Sequence, residues 1–377
     1  MQPDDEAILT IDARERAILA GYAMHSAASA GRRYPERPHR YRGPFQRDRD
    51  RIVHSAAYRR LAHKMQVFTG ELGDYHRTRL THTHEVASVA RSLGRALRLN
   101  EDLIEALALA HDIGHPPFGH AGEDALDACL QDVGGFNHNR QALRIVEELE
   151  HRYPEFPGLN LSREVLDGQA TRIEQGATTH SPLLEVQVVE TADSVAYNTH
   201  DVDDALRLGL LDLDELVEIP LWREAERRVR DAYGPLDGGV LKRAILRELV
   251  DWQVGDVLEY TRVCLRESRV SNETDVRAAP WLVSASPEVV AAKQELERLL
   301  HQRVYRHPRL LEMRRRAKDM LSALFNWYVE DTLRMPDWYA RRCESAGAAR
   351  TAGDYIAGMT DRFAQRTYHE IVQSSQM

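Results

Sequence analysis

The residues best placed to do chemistry are His111 and Asp112, two adjacent polar side chains at the end of the apolar run Leu107-Ala108-Leu109-Ala110. Leaving an imidazole and a carboxylate unpaired in a buried surface is costly, so the pair calls for a partner. Neighbouring helical side chains diverge by about 100°, so both reach one ion only if it sits beside the helix end and other elements complete its shell. His82, near the start of the preceding helical segment, and Asp193, in the mainly apolar stretch from Leu184 to Tyr197, offer themselves. Two neutral imidazoles and two carboxylates balance a divalent charge and leave positions open for water and a substrate oxygen. Such a mixed N/O set suits Mn, Fe, Co, Ni or Zn, and Mg is a weaker or additional occupant because it prefers oxygen alone. A lone His-Asp dipeptide also occurs as a helix-terminal pair bonded to backbone, and His84 stands beside His82 as a competing ligand.

These residues need helices to hold them. Across the 377 residues, of which 43% are apolar, hydrophobic positions recur at three and four rather than in alternation, which predicts an all-α protein. Helices are expected over about 5–30, from about 49, and over 80–99, 101–113, 121–132, 138–152, 182–206, 213–232, 237–268, 287–304, 308–332 and 351–374. Asn100 is a natural N-cap, and Gly114 with Pro116-Pro117 predicts a short rigid loop after the His-Asp helix. The division expected is an amino-terminal helix and basic arm (1–48), a metal-binding core (49–210) and a carboxyl-terminal helical region packed on it (211–377). No apolar run approaches the roughly 18 residues of a membrane span, and the acidic start lacks a signal-peptide pattern. Cys129, Cys264 and Cys343 form neither a CxxC pair nor an even set, which fits a reducing cytoplasm. Net charge is −9, yet between Arg32 and Arg60 ten arginines face only Glu36, Asp48 and Asp50, so that arm is locally cationic. A subunit contact or an effector-phosphate site is the preferred role for it.

Several longer segments accompany the His-Asp pair. Thr78-Arg79-Leu80-Thr81-His82, then His-Asp-Ile-Gly-His-Pro-Pro-Phe-Gly-His-Ala-Gly-Glu over 111–123, then Gly135-Phe136-Asn137-His138-Asn139, are joined by the segments from Arg47, Arg152, Ala196 and Asp354. Together, over about residues 10–370, they resemble the deoxynucleotide triphosphohydrolases of the HD-domain superfamily, which include the dGTPases. Two places depart from the family pattern: Met65 within Lys64-Met65-Gln66-Val67-Phe68, and Thr83-His84 after His82.

The resemblance implies cleavage between the α-phosphate and the 5′-oxygen of a dNTP, releasing deoxynucleoside and intact triphosphate. It supports His82 and Asp193 as ligands beside His111 and Asp112, and it allows Mg or Mn on the triphosphate. His120 matches the group that protonates the leaving oxygen, Glu123 its i+3 partner, and His138 a third member. His115 and Arg79 match phosphate contacts, and Gln66, Tyr197 and Asp201 match sugar contacts; Tyr197 and Asp201 follow Asp193 at i+4 and i+8 and share its helix face. A homo-oligomer with a dNTP effector belongs to the same expectation.

Three rivals are set against it. His111 and His115 mimic a His-Glu-x-x-His zinc motif, but Asp112 is one methylene short for the base and Gly114-His115-Pro116 breaks the helix. Another HD phosphohydrolase reaction, on a phosphodiester or a nucleoside monophosphate, is the alternative within the enzyme class. A nucleotide sensor or single-stranded nucleic-acid binder, using the basic arm, is the alternative outside it.

Overall fold

The structure is a computed structural model that describes residues 10–66, 77–173 and 180–374. Among these residues lie eighteen α-helices and no strand, so the all-α expectation holds. Backbone pairing between segments is limited to isolated bridges at Arg32 and Ser162, Met65 and Thr78, and His151 and Gly158.

The amino-terminal part is α1 (Ile11–Ile18), α2 (Pro44–Val53) and α3 (Ala56–Arg60). The expected helix over 5–30 stops early, because the Leu19 amide bonds back to Glu15 and the chain turns extended; residues 5–9 lie outside the described residues. The helix expected from about 49 begins sooner, at Pro44, whose fixed φ suits a first turn, and Ser55 restarts it as α3 by capping Tyr58. Glu15 carries the next layer: its carboxylate takes the Ser26 amide and hydroxyl, and Asn100 bonds both Glu15 and the Met24 carbonyl.

The site is built on α4 (Arg79–Ala96), α5 (Glu101–Ala110), α6 (Gly119–Cys129), α7 (His138–Arg144), α8 (Arg163–Thr171) and α9 (Leu184–Arg207). Helix α4 opens with a reciprocal capping box between Thr78 and Thr81, and α5 with Asn100 as N-cap. Helix α5 ends at Ala110, three residues before the expected limit, so His111 is its C-cap and Asp112 lies in the turn. Helices α4, α5 and α9 pack on one another around Val86, Ala90, Leu107, Val188 and Ala192. The 138–152 helix changes to a π turn at Ile145–Leu149, and α8 was not expected from the sequence at all.

The remainder comprises α10 (Leu213–Leu216), α11 (Pro220–Tyr233), α12 (Gly238–Glu267), α13 (Glu273–Ala278), α14 (Pro287–Leu299), α15 (Pro308–Glu330), α16 (Asp337–Ala346), α17 (Ala348–Ala357) and α18 (Asp361–Ser374). Pro220 splits the expected 213–232 helix, and Gly358 to Thr360 split the last one into α17 and α18. Helices α13 and α16 also went unexpected. Two further apolar clusters result: α15, α17 and α18 close over α6 through Leu126, Leu321, Phe325 and Ile356, and α11, α12 and α14 close over the end of α9 through Val202, Trp222, Leu249 and Leu296. Among the described residues no helix is long and apolar enough to cross a membrane.

Half of the basic arm's ten arginines are paired with carboxylates within the fold. Arg32 binds Asp48 and the Pro44 carbonyl, Arg47 and Arg51 share Glu36, Arg42 takes Asp50, and Arg49 takes Asp50 and Glu105. The arm is therefore a packed brace across Leu159 to Ser162, held by Arg51 and Arg32 on backbone carbonyls, and its exposed cations reduce to residues such as Arg33, Arg37 and Arg40.

Candidate metal centre and active site

His82 comes from the first turn of α4, His111 from the end of α5, and Asp193 from the middle of α9. Their ligand atoms all lie within 4.8 Å of one another. His82 Nε2 is 3.0 Å from Asp193 Oδ1, and His111 Nε2 is 3.8 Å from that oxygen and 3.5 Å from Asp112 Oδ1. His111 Nδ1 meets the Ala108 carbonyl at 2.6 Å, which puts its proton there and leaves Nε2 as an acceptor. That Nε2 is buried without a hydrogen-bond partner among the described residues. An orphaned imidazole nitrogen facing two carboxylates is what a divalent ion would satisfy, so His82, His111 and Asp193 fit one, with Asp112 beside His111 but outside that group of three. Burial drives His111 toward its neutral form, while burial's upward push on Asp112 is outweighed by Arg79 and Asp193 is held well below the usual carboxylate range by the positive groups around it, the permanently charged Arg172 among them. His84 turns away, its ring nitrogen 3.1 Å from the Tyr58 hydroxyl.

Arg79, expected at the phosphates, is 2% exposed and bonded to Asp112 Oδ2 at 2.9 Å. It orients the carboxylate from one side while His115 Nε2, 3.1 Å from Oδ1, does so from the other. Arg172, at the end of α8, holds Asp193 Oδ2 at 2.9 Å and Glu190 at 2.9 Å. No motif marks Arg172, and its helix is one that periodicity does not reveal.

From Asp112 the polar chain continues outward. The His115 ring stacks on His138 at 3.9 Å, and His138 Nδ1 meets both oxygens of Glu123 at 2.8 and 2.9 Å. His120 Nδ1 reaches the same carboxylate at 3.3 Å from a 60% exposed position. Burial alone would raise the Glu123 pKa, but hydrogen bonds from His120 and His138 hold it well below the usual carboxylate range. His115, Glu123 and His138 also converge within 4.8 Å, with the two imidazoles stacked.

His120 opens onto a cleft that continues past Phe118, Gln66 and Tyr197 to Leu310, Met313 and Arg314 of α15. Gln66 Oε1 is buried there without a partner among the described residues. Asp201 lies two turns beyond Asp193, fully buried, with burial pushing its pKa up to about 7. Tyr305 donates to Asp201 and lies 3.2 Å from the Tyr197 hydroxyl. No sequence signal marks Tyr305, which arrives from the loop after the π turn at Leu300–Val304.

A family profile described as HD domain matches residues 79–198, spanning all four candidate ligands, and a second, described as phosphohydrolase-associated domain, matches 283–370. The chain is 43% identical to the deoxyguanosinetriphosphate triphosphohydrolase-like protein of Thiobacillus denitrificans, covering 94% of this chain and 97% of that one. It is 44% identical to the protein so named from Geobacter sulfurreducens (93% and 94% covered) and 45% to that from Azoarcus sp. (94% and 96%).

The chain belongs to the deoxyguanosinetriphosphate triphosphohydrolase-like family of HD-domain proteins. It is thus an HD-type hydrolase, and its cluster of His82, His111 and Asp193 lies where the HD domain implies a divalent ion. Membership also accounts for the second profile: the family's associated domain supplies α15, which walls the cleft, and α17 and α18, which brace α6.

Proposed function

We propose that this protein hydrolyses deoxynucleoside triphosphates, dGTP or several dNTPs, to deoxynucleoside and inorganic triphosphate, using one ion held by His82, His111, Asp112 and Asp193. The observation that carries this reading is the orphaned His111 Nε2 between two ionised carboxylates, linked through His115 to a His120–Glu123 pair at a cleft mouth. When bound, a divalent ion supplies Lewis acidity at a phosphoryl oxygen and lowers the pKa of water toward about 7.

The protein's own groups do the rest. Arg79 and His115 fix both oxygens of Asp112, and Arg172 fixes Asp193, so the ligand set is held in place before substrate arrives. Water oxygen attacks the α-phosphorus and releases a proton to solvent, the bond to the 5′-oxygen breaks, its electron pair moves to that oxygen, and a solvent proton later restores His120. His120, with Nδ1 on Glu123, presents Nε2 to the cleft and passes its proton to the leaving oxygen. Glu123 stabilises the charged imidazole until that transfer, and His138 keeps Glu123 aimed. Arg79 being committed to Asp112, the triphosphate draws on other cations; Lys293, beside Ser194 and partly buried, is one such group on the Asp193 side. Tyr197 and Asp201 face the deoxyribose, with a carboxylate acceptor for the 3′-hydroxyl, and the base extends toward Leu310, Met313 and Arg314.

Purified protein incubated with each dNTP and Mn²⁺ or Mg²⁺, followed by separation of products, tests this. Free triphosphate is the expected product; pyrophosphate or monophosphate alone refutes the reading.

A further inference from the structure

We infer that His200 and Glu85 form a relay behind His82 that sets its tautomer, and thereby act as positioning residues for the ion at the metal centre. The inference rests on the reading of His82 as a ligand. His82 Nδ1 lies 3.2 Å from His200 Nδ1, and His200 Nε2 lies 2.6 Å from Glu85 Oε2. Arg77 steadies the far end, 3.3 Å from the same Glu85 oxygen and 3.0 Å from Asp204. Each relay residue shares a helix face with a candidate ligand: Glu85 is three residues after His82 on α4, and His200 seven after Asp193 on α9.

The hydrogen bonds admit one consistent assignment for neutral rings. An ionised Glu85 can only accept, so His200 Nε2 must carry a proton and its Nδ1 must be the acceptor. His82 Nδ1 must then donate to it, which leaves His82 Nε2 as a bare lone pair. That lone pair faces Asp193 Oδ1, another acceptor, at 3.0 Å. Two acceptors at that distance repel unless a positive centre lies between them. The relay therefore disfavours the neutral tautomer that would satisfy Asp193 directly and favours the one that ligates a cation. An imidazole whose outer N–H is held by an acceptor is also a more basic ligand, and loss of such support costs about 10–100-fold in metal affinity.

The test is Mn²⁺ titration of the metal-free full-length chain, followed by electron paramagnetic resonance, with thermal unfolding of the metal-free state as a control. His200→Ala should weaken Mn²⁺ binding about 10–100-fold. His200→Asn, which returns an acceptor oxygen near the Nδ1 position, should recover most of that loss, and Glu85→Gln should weaken binding by a smaller factor. His84→Ala should bind as the wild type does, because its ring lies against Tyr58. Glu85 is 46% exposed, so its variant reports on the relay even if His200→Ala loses its fold. Wild-type affinity in both His200→Ala and Glu85→Gln overturns the relay alone, as does equal impairment of His200→Ala and His200→Asn. A wild-type chain that binds neither Mn²⁺ nor any other divalent ion overturns the metal centre itself, and the relay with it.

Discussion

At the scale of single residues, Glu123 is the shared resource of the candidate active site. It is bound more closely by His138 than by His120, although His120 is the imidazole exposed to the cleft. The two roles separate in the metal-free and loaded states. His120→Ala should keep Mn²⁺ affinity and lose about 10²–10⁴ in kcat; unchanged turnover would remove it from the mechanism. Asp112→Ala should lose metal and turnover together, since it also strands the Arg79 charge in the interior. Asp201 carries a distinct pH signature. Its folded pKa of about 7 lies above the roughly 3.9 of an unfolded aspartate, so the unfolded state sheds this proton first as pH rises. Its contribution to stability is therefore complete below about pH 4 and declines as pH climbs toward 7. Asp201→Asn should flatten that part of the stability profile, read by denaturant unfolding at pH 4 to 8. His111 and Asp112 were legible because two polar residues closing an apolar run demand a partner. Arg172 and Tyr305 were not, because neither their types nor their spacing separates them from surface arginines and packed tyrosines.

At the scale of elements, the site depends on how closely helices approach. Gly114 sits where α7 begins: a Cβ there would fall 1.9 Å from the His138 carbonyl and 2.4 Å from the Ala142 amide. Gly114→Ala must push α7 away, with an expected cost of about 1–3 kcal/mol and a loss of turnover through His138. A thermal unfolding midpoint equal to wild type would contradict that packing argument. Helix α15 poses a different question. Of its three consecutive arginines, Arg315 and Arg316 pair with Glu312, while Arg314 lines the cleft and makes no ion pair among the described residues. Arg314→Ala should raise the KM for a dNTP about tenfold or more with kcat little changed, the signature of lost uniform binding. An equal fall in kcat would place Arg314 in the chemical step instead.

At the scale of the whole molecule, the carboxyl-terminal region reaches back into the catalytic loops. The Asp361 carboxylate accepts the amides of Met65 and Phe118, both at 3.0 Å, and Lys64 donates to the carbonyls of His115 and Ala357 at 2.6 and 2.8 Å. Those contacts tie α17 and α18 to the loop that leads into His120 at the start of α6. Asp361→Ala leaves two loop amides without their acceptor and should cost about 1–3 kcal/mol. It should also lower turnover more than it lowers Mn²⁺ affinity, because His111 and Asp112 precede the loosened segment; a parallel loss of both would argue for global damage. The same scale revises the basic arm, whose charge count suggests a free phosphate-binding surface until the fold pairs Arg32, Arg42, Arg47, Arg49 and Arg51 with carboxylates.

The sequence by itself determined the all-α class, most of the long helices, the His111-Asp112 pair as the close of an apolar helix and the family, because these rest on local periodicity, capping residues and contiguous motifs. Helix ends and the short helices α8, α13 and α16 were decided by tertiary packing, which outweighs weak local propensity over a few residues. Tertiary structure alone decided which side chains meet: Arg79 with Asp112, Arg172 with Asp193, Tyr305 with Asp201, and His200 between His82 and Glu85. Partners separated by many residues in sequence are chosen by helix approach and by the cost of leaving a buried charge or ring nitrogen unpaired, and neither quantity is written in any single segment of the chain.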